Sequence, residues 1–167
     1  MVQLTDLSVL AAQVGEVLLN STATLVTAES CTGGWVAQEI TAIAGSSQWF
    51  DRGFVTYTNL SKQEMLDVTE QTLIDSGAVS EQTVLEMASG AIDNSHANIS
   101  LAVSGIAGPG GGSDDKPVGT VWFAWADDSG RCDVQQYLLE GDRQQIRHQA
   151  VAIALQGVID RLGNALA

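Results

Sequence analysis

The sequence predicts an α/β layer fold with a mixed sheet. Two observations predict it: short buried-strand runs alternate with amphipathic helical patterns, and the alternation ends in two longer strands joined by a turn. A third is the 45% hydrophobic fraction over 167 residues, enough for one substantial core. No internal repeat, linker or low-complexity tract interrupts the chain, so residues 1–167 read as one domain.

The elements follow in order. Leu4, Leu7, Leu10, Ala11, Val14, Val17 and Leu18 recur at helical spacing and predict an amphipathic first helix. Residues 23–28 predict a short buried strand. From Thr32 onward, Trp35, Val36, Ile40 and Ile43 predict a helix closed by Gly45, and residues 54–57 predict a second strand. Asn59 is a candidate N-cap for a helix carrying Met65 and Leu66, and Ser80 for one carrying Val84, Leu85, Met87, Ala88 and Ile92. Residues 99–103 form another buried-strand run and empty into a glycine-rich loop at 104–112. Two longer strands, near 118–126 and 132–139, are joined by the turn Asp127, Asp128, Ser129, Gly130. The last helix opens at Asp142, with Gln145 completing a capping-box pair, and runs to about Leu162.

Charge narrows the function. Seven Lys+Arg against 20 Asp+Glu give a formal net charge of -13, a field that repels a polyphosphate chain and disfavours nucleic-acid binding. A small anionic ligand is still compatible where a few cations converge. No apolar run reaches the roughly 18 residues needed to span a bilayer, and the start of the chain lacks a basic n-region. The expected compartment is therefore the cytoplasm. Cys31 and Cys132 stand far apart outside any C-x-x-C spacing and read as reduced thiols. No H-E-x-x-H or clustered ligand pattern predicts a metal, and neither His96 nor His148 stands beside a plausible nucleophile.

Four constellations could carry chemistry. The first, residues 27–34 (TAESCTGG), lies at a strand-to-helix turn, where a nucleophile would gain an oxyanion site from the following N–H groups. G-x-S-x-G is absent, and Ser30 or Thr32 could equally be a helix cap. In the second, residues 57–62, Lys62 falls in a first helical turn, which with burial would lower its pKa. A general base near neutrality needs a shift of roughly 3 units from about 10.4, or about 4 kcal/mol, and a solvated surface lysine is the alternative. The third is the glycine-rich loop, either a backbone anion cradle or a plain wide turn. The fourth is Arg143 with Arg147 one turn on, which could face a phosphate or make surface pairs.

Taken together, residues 27–34, 53–62 (GFVTYTNLSK), 77–81 (GAVSE), 104–112 (SGIAGPGGG), 116–124 (KPVGTVWFA) and 141–143 (GDR) resemble the CinA C-terminal domain family in order and spacing. The likeness runs from about Thr27 to Arg147 and suits its stand-alone members. It implies a three-layer α/β/α domain with a mixed, mostly parallel sheet, self-associating as a homodimer. It implies an amidohydrolase that converts nicotinamide mononucleotide and water to nicotinate mononucleotide and ammonia, with no metal or organic cofactor. Its Ser/Lys dyad maps onto Ser30 and Lys62, with Tyr57 as a catalytic neighbour. Glu29, Cys31, Thr32, Gly33, Gly34, Ser104, Gly105, Ile106, Ala107, Gly108 and Arg143 are the expected substrate-binding residues. Two rival readings are a catalytically idle nucleotide-binding paralogue and a thiol amidase using Cys31.

Overall fold

The structure, a computed structural model, describes residues 5–163, so Leu4 and the last four residues lie outside it. The elements run α1 (Leu7–Asn20), β1 (Leu25–Glu29), α2 (Trp35–Thr41), a short 3-10 turn (Ser46–Gln48), β2 (Phe50–Val55), α3 (Asn59–Leu66), α4 (Glu70–Ser76), α5 (Glu81–Asp93), β3 (Ile99–Gly105), β4 (Thr120–Asp127), β5 (Cys132–Leu138) and α6 (Arg143–Gly163). The five strands form one sheet in the order β2-β1-β3-β4-β5. β1 pairs parallel with both β2 and β3, whereas β4 is antiparallel to β3 and to β5. Four strands therefore share one direction and β4 alone opposes them.

Helices cover both faces because the strands are apolar on both faces. Leu25, Leu101, Val103, Val121, Phe123 and Trp125 face α1, α2 and α6, building the larger core with Val14, Leu18, Ile146 and Leu155. The opposite face is lined by small residues, Ala28, Ala102, Ala124 and Ala126, against Met87, Ala88 and Ala91 of α5. Alanine on that face lets α5 lie close, and the Ser100 hydroxyl donates to the Ala88 carbonyl at 2.8 Å.

Several boundaries differ from expectation for local reasons. Thr58, not Asn59, caps α3, because its hydroxyl accepts the Ser61 N–H while the Ser61 hydroxyl accepts the Thr58 N–H in a capping box. β2 starts at Phe50, four residues early, through the edge stretch Asp51, Arg52, Gly53, whose polarity hides it. α2 stops at Thr41, short of Gly45. α4 is absent from the elements that the sequence predicts; its seven residues hold only Leu73 and Ile74 as apolar positions, too few for an apolar stripe, and the Thr69 hydroxyl starts it. The expected caps at Ser80 and at Asp142 with Gln145 are present, the latter with both reciprocal bonds at 2.8 and 2.9 Å.

The connections set the position of the site. The chain leaves β1 through α2 to reach β2 on one side, then crosses by α3–α5 on the other face to reach β3 on the opposite side of β1. The strand order thus reverses between β1 and β3, and in an open α/β sheet ligands bind at the carboxyl ends of the strands at such a point. The turn after β1 and the glycine-rich loop after β3 both emerge there.

Candidate active site

β1 ends at Glu29 and the chain turns sharply through Ser30, Cys31, Thr32 and Gly33 before α2. Gly33 and Gly34 have φ of 63° and 98°, a left-handed region that side chains resist, so glycine makes this turn at little cost. The turn is anchored to the sheet by the Ser30 N–H donating to the Val103 carbonyl at 3.0 Å. The Gly33 N–H closes it onto the Ser30 carbonyl, also at 3.0 Å. Cys31 and Thr32 are left with N–H groups that make no hydrogen bond among the described residues. Of the three N–H groups that follow Ser30, only those of Cys31 and Thr32 are therefore free to donate, since the Gly33 N–H is spent.

Lys62 reaches this turn from α3. It is 1% exposed, the largest fully buried side chain of the described residues. Its Nζ lies 3.0 Å from Ser30 Oγ and 2.7 Å from the Thr56 carbonyl oxygen, with no carboxylate in the set. Burial lowers its pKa from 10.5 to about 8, because the buried site disfavours the charged amine, and the neighbouring Cys31 opposes that shift only in part. Its place in the first turn of α3 adds a fixed dipole of the same sense. The same enclosure pushes the Cys31 thiol up to about 11, mainly by desolvation, with the nearby Glu29 carboxylate adding to it.

The remaining expected residues divide into those that face the turn and those that hold it. Glu29 is turned into the protein. Its fully buried carboxylate accepts the Thr32 hydroxyl at 2.7 Å and the Val36 and Ala37 N–H groups at 2.8 and 3.1 Å. It caps α2 from the end of β1, in place of Gly34, whose position makes no side-chain cap bond. Burial raises its pKa, and those three donors oppose the rise. The Thr32 side chain is spent on the same cap. Ser104 is 1% exposed and its hydroxyl donates to the Ala78 carbonyl at 2.7 Å, tying β3 to the segment before α5.

Gly105 ends β3 opposite Val121, and the Ile106 N–H and carbonyl are taken by Thr120 and Gly119, so neither extends a donor cradle. Ala107 and Gly108 have N–H groups without a partner among the described residues. Tyr57 is 58% exposed and its hydroxyl accepts from Arg143 at 3.0 Å; it makes no hydrogen bond to Ser30 or Lys62. Arg143 also donates to the Gly108 carbonyl at 2.8 Å, so it straps the loop after β3 to the segment before α3. Arg147 does something else: its Nε and Nη2 donate to the Cys31 and Thr32 carbonyls, each at 3.0 Å. The Thr56 carbonyl and the Arg147 brace were not legible in the sequence, because both are contacts with backbone and no residue type announces them.

Two cavities lie at the other end of the sheet. The larger, about 490 Å³, is lined by residues including Trp125, Asp133 and Arg161, and Arg161 already stacks on Trp125 at 3.9 Å and pairs with Asp133 at 3.1 Å. Among the described residues no three His, Cys, Asp or Glu stand close enough to hold a metal ion, and no helix is long and apolar enough to cross a membrane.

Fold and site define a class: three-layer α/β/α domains with a buried lysine joined to a serine at the strand-to-helix turn of the reversal point. The chain belongs to the CinA C-terminal domain family, which matches residues 7–162. It is 55% identical over 151 residues to the nicotinamide-nucleotide amidohydrolase PncC of Escherichia coli (strain K12), covering 90% of this chain and 92% of that protein. Its identity to the protein of the same name from Pseudomonas putida is 47% over 153 residues, 92% and 95% of the two chains. Among solved structures it is similar to the competence/damage inducible protein CihA from Agrobacterium tumefaciens, with a TM-score of 0.91 and 44% identity over 98% and 99% of the chains.

Proposed function

We propose that this chain is a nicotinamide-nucleotide amidohydrolase that converts nicotinamide mononucleotide and water to nicotinate mononucleotide and ammonia through an acyl-enzyme on Ser30. The observation that carries the reading is the buried Lys62 amine 3.0 Å from Ser30 Oγ, with no carboxylate beside it and a pKa brought to about 8. Full-length relatives named for this activity support the substrate.

In the neutral form, one N–H of Lys62 donates to the Thr56 carbonyl, which leaves the lone pair free to turn to the Ser30 hydroxyl. Lys62 takes that proton as Ser30 Oγ bonds to the carboxamide carbon. The carbonyl oxygen becomes an oxyanion facing the Cys31 and Thr32 N–H groups. Lys62 then returns the proton to the nitrogen as the C–N bond breaks, releasing ammonia. Water repeats the cycle on the ester: it loses a proton to Lys62, bonds to the carbon, and Ser30 departs with the proton. Arg143, with the free Ala107 and Gly108 N–H groups, is the proposed seat of the phosphate. The thiol alternative is disfavoured, since a Cys31 pKa of about 11 leaves on the order of one thiolate in ten thousand at pH 7.

Ammonia release from nicotinamide mononucleotide by the purified protein, with and without chelator, tests the reading. Turnover should persist with chelator, vanish in Ser30→Ala and Lys62→Ala, and largely remain in Cys31→Ala. Tight binding without ammonia would mark an idle paralogue, and a dead Cys31→Ala beside an active Ser30→Ala would transfer the role to the thiol. The proposal extends to a homodimer acting in the cytoplasm; light scattering at the size-exclusion peak should read twice the chain mass.

A further inference from the structure

Arg147 has no carboxylate within salt-bridge distance among the described residues, in a chain with 20 Asp+Glu. Its guanidinium instead lies over the Trp35 ring at 5.4 Å and donates to two successive backbone carbonyls of the turn. Each carbonyl belongs to a rigid trans peptide, in which C=O and N–H point in opposite directions. Holding the Cys31 carbonyl therefore aims the Thr32 N–H away from Arg147. Holding the Thr32 carbonyl fixes the plane that carries the Gly33 N–H, and that N–H is bonded to the Ser30 carbonyl. The Ser30 carbonyl shares its plane with the Cys31 N–H. One guanidinium thus sets all three peptide planes of the turn, including both planes whose N–H groups are unpartnered. Its charge also polarises these bonded peptides in series, which strengthens the free donors at the far side.

We propose that Arg147 is the positioning residue of the oxyanion site: it touches no substrate and acts by holding the Cys31 and Thr32 peptides in the orientation that stabilises the tetrahedral intermediate. The inference rests on the amidohydrolase reading for its substrate but not for its geometry. From the same helix, Arg147 reaches the carbonyls of the turn after β1, whereas Arg143 reaches Tyr57 and Gly108, so the two arginines serve different segments despite their i, i+4 spacing.

The test compares wild type, Arg147→Ala and Arg147→Lys as full chains. Steady-state kinetics are read with the mononucleotide and its phosphate-free riboside, and Ser30 labelling with an alkyl fluorophosphonate, whose addition also develops charge on oxygen. In Arg147→Ala, kcat should fall about 100-fold, the scale of losing one oxyanion donor, with KM within about three-fold. The loss should be equal for both substrates, and labelling should slow in parallel. Arg147→Lys, able to reach one carbonyl but not to span both as a fork, should recover part of the loss. A wild type that ignores the mononucleotide while its labelling still depends on Arg147 overturns the substrate reading alone and supports this one. Retained kcat and labelling in Arg147→Ala overturn the positioning role while leaving the amidohydrolase reading intact. So does a loss confined to KM, or one larger for the mononucleotide than for the riboside. Failure of both variants to show a cooperative melt also overturns it, assigning Arg147 to folding.

Discussion

Lys62 shows how much one enclosed amine can be made to do. With a pKa near 8 it is about one-tenth neutral at pH 7, so the base form is the minority at neutrality. The value of kcat/KM should therefore climb about tenfold from pH 6 to pH 7 and level off above pH 8; a profile flat from pH 6 to 9 would remove Lys62 as the base. The same shift has a consequence for stability. Between about 8 and 10.5 the unfolded chain keeps a proton that the folded chain has released, so unfolding free energy rises with pH across that window. Below pH 8 the folded protein carries the buried charge at full cost. Urea unfolding of wild type against Lys62→Met should thus shift in favour of wild type by about 3 kcal/mol between pH 7 and 10.5. An unchanged difference would mean that the amine is solvated in the folded state. Ser30 and Lys62 were nameable from motif and residue type; that Tyr57 turns to Arg143, and Glu29 to the α2 amides, was not.

At the element scale, the site depends on α3 being held where Lys62 can reach β1. α3 packs on α5 through Gly90, where a Cβ would run into the Leu66 carbonyl. Backbone cannot yield as a flexible side chain can, so Gly90→Ala should cost about 3 kcal/mol, at the upper end for overpacking, despite the better helix propensity of alanine. It should also lower kcat through displaced Lys62. Thermal melts together with ammonia release check both, and a stability within about 0.5 kcal/mol of wild type would contradict the close packing. The elements differ in legibility for physical reasons. β1, β3 and β4 are apolar on both faces and stand out; β2, a polar edge strand, and α4, whose Ile74 is exposed, do not. Propensity and periodicity report burial, and these two elements bury little.

For the whole molecule the governing quantity is a net charge of -13 around a proposed site for a phosphorylated substrate. Distant carboxylates repel the phosphate through water and are screened beyond about 8 Å at physiological salt, whereas a contact with Arg143 is screened far less. Raising salt from about 20 to about 300 mM should therefore increase kcat/KM for the mononucleotide relative to the riboside, by about two- to five-fold. Arg143→Ala should depress the mononucleotide far more than the riboside at every salt concentration. An equal loss on both substrates would assign Arg143 to the strap between Tyr57 and Gly108 and leave the phosphate to the loop amides.

What the sequence determined by itself were the properties written in residue type and local order. These are the α/β class, the buried strands, the caps at Ser80 and Asp142, the turn at Asp127, and a serine at a strand-to-helix turn with a lysine 32 positions on. Only the tertiary structure decided which partners those residues take. The reversal of strand order between β1 and β3 brings residues 30, 62, 108, 143 and 147 to one end of the sheet. Burial of Lys62 without a counter-ion, Glu29 spent as a helix cap, and an arginine spent on the carbonyls of a turn 115 residues away are contacts with backbone or with the absence of a partner. Every residue supplies the same backbone groups, so only the fold selects which of them a side chain meets.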